Sequence, residues 1–187
     1  MRLTFFILVL CVTLMSCGHQ KTAVESTATP TETTAKVDSI MVKTPSSILT
    51  KEDFMNAPYG DWFSPRYEDY SINAETAAAI SKYINDYDIK VFMGTWCSDS
   101  KRETPKLYKL LEESGYNMAN LEVISVDRKK VTPNNLQEGY NIIKVPTIIF
   151  SKNGKEVNRF VEYAQETLAE DILKIVSGQP YKHSYAE

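Results

Sequence analysis

The sequence predicts an α/β domain in which a central mixed β-sheet is flanked by helices on both faces, preceded by an N-terminal extension. Short apolar runs (Ile89-Lys90-Val91-Phe92-Met93, Leu121-Glu122-Val123-Ile124, Thr147-Ile148-Ile149-Phe150) alternate with segments whose apolar residues recur every three or four positions. The series closes on two strand-like runs joined by Asn153-Gly154, a two-residue turn signal that makes the last pair antiparallel.

Asn73 is a good helix N-cap, because its short side chain can accept from first-turn N–H groups, and the Ala-rich stretch from 74 to about 85 is the first helix. A strand over 88–94 follows, then a helix from Cys97 to about Ser114, with Leu107, Leu110 and Leu111 as its buried stripe. Gly115 and Asn117 close that helix, and 121–126 reads as the next strand. A short helix near 134–140 leads to the strand 147–151, which returns antiparallel over 155–163. In the last helix Thr167 and Glu170 are spaced as a capping box. Leu168, Ile172, Leu173, Ile175 and Val176 form its apolar side, and Gly178 terminates it. The organisation expected is thus 1–16 export signal, 17–50 tether, 51–72 extension, 73–178 domain and 179–187 polar tail.

The ends have their own logic. Arg2 followed by an apolar run to about Met15 has the layout of a secretory signal, and the run is too short for a membrane span. Leu14-Met15-Ser16-Cys17 looks like a bacterial lipobox, in which Cys17 is acylated and becomes the first mature residue; the alternative is a plain signal with an incidental cysteine. From Gly18 to about Ser47 the chain is rich in Thr, Ser, Lys and Glu, too polar to offset its ordering entropy, and reads as a flexible tether. Phe54, Tyr59, Trp62, Phe63, Tyr67 and Tyr70 then form an aromatic cluster, either packed against the domain's edge or walling a substrate groove.

With 43% hydrophobic and 24% charged residues in 187, the composition is that of an ordinary globular protein. A net charge of −3, with Lys and Arg scattered, argues against a nucleic-acid partner. His19 and His183 are too few and too badly placed for zinc, so neither metal nor cofactor is expected. Cys11 lies inside the apolar signal and Cys17 closes it, which leaves Cys97 as the one thiol of the folded domain.

That thiol sits in Trp96-Cys97-Ser98-Asp99-Ser100, where a strand hands over to a helix. A helix N-terminus offers free N–H groups and partial positive charge, which favour thiolate over thiol. Lys101, Arg102 and the Ser100 hydroxyl would help, while Asp99 would oppose by charge. The competing reading of Cys97 is a small buried hydrophobe. Downstream, Val145-Pro146-Thr147 runs into a strand, with Pro146 either cis or an ordinary trans proline at a strand's start.

Residues 73–178 resemble the thioredoxin family. Trp96-Cys97 matches its redox motif, Pro105 the kinking proline of its active-site helix, and 140–147 with 151–155 its cis-proline loop and hairpin. The resemblance implies a thioredoxin fold, Cys97 as nucleophile, and a Pro146 loop in which Trp96, Val145 and Thr147 meet an extended peptide. Three departures matter. Ser100 replaces the resolving cysteine, Val91 stands where many members keep a buried acid, and the turn 162–165 lacks the glycine often found there, which bears on partner docking.

One sulfur can attack a disulfide but cannot be released by its own neighbour, so release comes from a substrate thiol (isomerisation) or an external thiol reductant. The expected function is an exchange protein of the bacterial cell envelope, anchored through Cys17 with its domain outside the cytoplasm, facing the periplasm. Its partners would be disulfide- or thiol-containing envelope proteins, since disulfides persist there. The alternative is a redox-degenerate module that binds peptides or partner proteins without turnover. A third reading, cluster binding as in one-cysteine glutaredoxins, fits Trp96 and Ser98-Asp99 poorly.

Overall fold

A computed structural model describes residues 47–186. The expected export signal, Cys11, the expected acylation site Cys17 and nearly all of the expected tether lie outside the described residues.

In chain order the elements are α1 (Lys51–Met55), α2 (Gly60–Asp69), α3 (Ala74–Ser81), β1 (Asp88–Met93), α4 (Ser98–Glu113), β2 (Leu121–Ser125), β3 (Thr147–Lys152), β4 (Lys155–Val161) and α5 (Leu168–Ser177). The strands form one mixed sheet in the order β2-β1-β3-β4. β1 pairs parallel to β2 and antiparallel to β3, and β4 pairs antiparallel to β3. An isolated antiparallel bridge, Ile48 to Ile124, extends the sheet beyond β2.

Alternation along the strands sends side chains to two cores. Ile89, Val91, Met93, Val123, Ile148, Phe150 and Phe160 join the larger one, with the buried stripes of the helices: Ile80 from α3, Leu107, Leu110 and Leu111 from α4, Ile172 and Val176 from α5. Each such side chain, fully buried, contributes about 1.5–3 kcal/mol. On the opposite face Phe92, Ile124, Val126, Val145 and Ile149 form the smaller core, covered by Trp96, Leu136, Tyr140 and Ile142.

The caps read from the sequence are formed. Asn73 accepts from the Glu75 N–H at 2.8 Å, Thr167 accepts from the Glu170 N–H at 3.2 Å, and Gly178 ends α5 at φ 75°. Other expectations are corrected. The helix expected from 74 to about 85 is α3 and stops at Ser81, and Ile84–Asp86 is a 3₁₀ turn that puts Ile84 into the core. The short helix expected near 134–140 is a run of turns. Asn135, Gly139 and Asn141 take left-handed φ of 54°, 83° and 49°. Its backbone bonds step back three residues, as Glu138 N to Asn135 O and Tyr140 N to Gln137 O do.

Residues 51–69 hold two helices that the sequence reading did not foresee. Thr50 and Asp53 make a reciprocal capping box at the start of α1. The Phe54 and Phe63 rings stack with centroids 5.1 Å apart, both entirely buried, and Tyr108 of α4 meets each edge-on. Lys51 to Glu112 at 2.7 Å, and the Tyr67 phenol on the same carboxylate, tie the helical pair to α4.

Candidate active site

β1 ends in a tight turn in which the Cys97 N–H returns to the Gly94 carbonyl at 2.9 Å. Cys97 therefore takes the N-cap position of α4, with φ −91° and ψ 129°, and its own carbonyl accepts from the Lys101 N–H. The thiol is free and half-buried. It donates to the Val145 carbonyl at 3.3 Å, across a Val145–Pro146 peptide bond that is cis. Sulfur, helix N-terminus and proline loop thus meet although 48 residues separate Cys97 from Val145.

Ser100 is completely buried, and its Oγ accepts from the Gly94 N–H at 3.1 Å. The hydroxyl that the sequence offered as a donor to sulfur is in contact with the end of β1 instead. Trp96 lies over the same glycine, where a Cβ on Gly94 would stand 2.6 Å from the indole. Its Nε1 donates to the Val126 carbonyl at 2.9 Å, and the Arg128 guanidinium stands 5.0 Å from the ring centroid. Arg128 was missed because a 32-residue separation leaves no local signal for a stacking partner.

The other charges near the motif are spoken for. Arg102 pairs with Asp99 and with Glu103, each at 2.6 Å, which offsets the Asp99 charge. Lys101 stands 5.6 Å over the Trp62 ring. Val91 is buried among apolar neighbours, while Glu103, only 5% exposed on α4, is held by Arg102 and by Lys106 at 3.5 Å. In sequence Glu103 looks like one more solvated helix charge.

On the loop side Thr147 is buried, and its Oγ1 donates to the Lys144 carbonyl at 2.7 Å. The Pro146 carbonyl accepts from the Glu162 N–H at 2.8 Å, which ties the proline loop to the end of β4. Glu162 has φ 65°, so the turn flagged for its missing glycine has the left-handed geometry that glycine usually fills. Among the described residues no cluster of His, Cys, Asp and Glu has the makings of a metal site.

A sequence profile of the family described as Thioredoxin matches residues 50–173. Among solved structures, a protein of unknown function from Pseudomonas aeruginosa superposes with a TM-score of 0.50 at 16% identity, over 66% of this chain and 86% of that one. An HIV epitope-scaffold protein gives 0.51 at 15% identity, over 67% and 88%. Both likenesses are of fold.

Proposed function

The chain belongs to the thioredoxin family, and from that premise we propose that it is a one-sulfur thiol–disulfide exchange protein with Cys97 as its nucleophile. The observation that carries the reading is the Cys97 thiol itself: half-exposed at the N-terminus of α4 and 3.3 Å from the Val145 carbonyl. Ser100 supports it, since a buried hydroxyl fills the place of a second sulfur.

In the reaction the thiol leaves its hydrogen bond to Val145 and loses its proton to solvent, and the thiolate attacks one sulfur of a substrate disulfide. The S–S bond breaks, the other sulfur leaves as thiolate and takes a proton, and a mixed disulfide remains. A second thiol then attacks that bond. From the substrate it gives isomerisation; from an external thiol reductant it gives net reduction. Trp96 and the 145–147 backbone flank the sulfur where an extended peptide would lie.

We place this activity in a bacterial envelope. Cys17 would be acylated and become the first mature residue, the domain would face the periplasm, and its partners would be disulfide- or thiol-bearing envelope proteins.

The test is capture. Reduced protein mixed with a peptide disulfide should yield an adduct on Cys97 that persists until an external thiol is added, and Cys97→Ser should yield none. No adduct on the parent protein, or one that survives in the variant, overturns the assignment and leaves peptide binding without turnover. For the anchor, labelled palmitate should enter the parent chain and be absent from Cys17→Ser; label retained in that variant refutes the lipoprotein reading.

A further inference from the structure

The polar tail after α5 is built into the fold beside the proline loop. Tyr181 donates to the buried Asp171 at 3.0 Å, and Ser184 Oγ donates to the Tyr163 carbonyl at 2.8 Å while accepting from Gln165 Nε2. These contacts bring Tyr185 onto the turn at the end of β4. Its ring meets Tyr163 edge-on with centroids 5.9 Å apart, its phenol donates to the Glu162 carboxylate, and the Lys144 ammonium lies 4.9 Å over its ring. Lys144 and Glu162 are also paired, at 3.6 Å.

Two independent features give this cluster meaning. The first is position: Lys144 precedes Val145, whose carbonyl accepts the hydrogen bond of the Cys97 thiol, and Glu162 N–H holds the Pro146 carbonyl. Tyr185 thus reinforces the direct Lys144–Glu162 pair by touching both flanks of the loop facing the sulfur. The second is backbone cost. Glutamate is a poor choice for φ 65°, where glycine carries no penalty. A carboxylate at that point is useful because it reaches Tyr185 and Lys144 together.

We propose that Tyr185 is a positioning residue that clasps the Lys144-Val145-Pro146 loop and sets the backbone a peptide disulfide meets at Cys97. This rests on the reading of Cys97 as nucleophile. The clasp acts on peptide substrates, whose backbone needs the loop in register, and leaves a small reagent that touches only sulfur unaffected.

The experiment compares the parent chain with Tyr185→Phe and Tyr185→Ala. Cys97 is reacted with a nitrothiobenzoate mixed disulfide carried on an extended peptide, or on free cysteine. In Tyr185→Ala the peptide rate should fall about tenfold, as expected for a loop shifted by a fraction of an ångström, while the free-cysteine rate stays within about twofold. Tyr185→Phe, which keeps the ring and loses the phenol, should fall between. Amide exchange at Glu162, whose N–H holds the Pro146 carbonyl, should quicken in Tyr185→Ala. Equal losses on both probes, or an unchanged exchange rate at Glu162, overturn the clasp. Faster exchange at Glu162 with no adduct on the parent protein refutes the exchange chemistry and leaves the clasp standing.

Discussion

The Gly94 N–H and the Ser100 Oγ lie 3.1 Å apart in a fully buried contact that joins the end of β1 to the first turn of α4. The residue standing where a resolving sulfur would be therefore has structural work that a thiol, a weaker acceptor, does less well. Ser100→Ala leaves a buried N–H unpaired and should cost about 1–3 kcal/mol in urea unfolding. Ser100→Cys should give up part of that and gain a second sulfur, and insulin reduction should rise. Flat turnover in a folded Ser100→Cys protein would mean that the apolar Val91, in place of an acid, limits the reaction.

Gly94 is constrained on its other side by Trp96, whose indole occupies the space a Cβ would need. Gly94→Ala should push the ring out, break the Nε1 bond to Val126 and release Arg128 from its face. The expected loss is about 1–3 kcal/mol, typical of overpacking. With Trp62→Phe as background, Trp96 emission should shift to the red; an unshifted spectrum would show that the turn absorbs the methyl.

How much of this was legible follows from where the information lies. β1, α4, the β3–β4 hairpin and α5 were readable because periodicity, an Asn-Gly turn and the Asn73 and Thr167 caps are local signals. The Cys97–Ser100 motif and the Val145-Pro146-Thr147 loop were readable as patterns, though their 3.3 Å contact is tertiary. α1 and α2 escaped although Tyr59, Phe63 and Tyr67 recur at helical spacing, because α1 is only five residues long and Pro58 and Pro65 punctuate the stretch. The 134–140 segment was over-read because Asn135 and Asn141 suit a turn as well as a helix end. Tyr185 could not be seen at all. A tyrosine in a polar tail has no pattern until Glu162 and Lys144 are brought beneath it.

The α1–α2 pair shares the main core, which Phe63→Ala should reveal. Phe63 is fully buried, stacked on Phe54 and Tyr67 and met edge-on by Tyr108. Truncation should cost about 3–5 kcal/mol in a single cooperative transition. A separate early transition for 50–70, with the remainder unchanged, would instead make the pair an appendage.

Alkaline pH probes the same core from another direction. Burial drives the Tyr116 phenol well above its ordinary value, and a neighbouring charge at Asp88 adds to the rise, against a backbone hydrogen bond at Ile89 that lowers it. Its hydroxyl lies 3.0 Å from the Tyr87 carbonyl and 2.8 Å from that of Asn120, a geometry that only the protonated form satisfies. Burial raises Tyr108 in the same sense. An acid whose folded value lies above its unfolded one contributes stability that is complete below the unfolded value, about 10, and is lost as pH climbs toward the folded value. The urea midpoint should therefore hold up to about pH 10 and fall above it. Tyr116→Phe should start lower, because two carbonyls lose the one O–H they share, and should fall less steeply above about pH 10. Parallel slopes in the parent and the variant would show that Tyr116 ionises as readily in the folded chain as in the unfolded one, contrary to its burial.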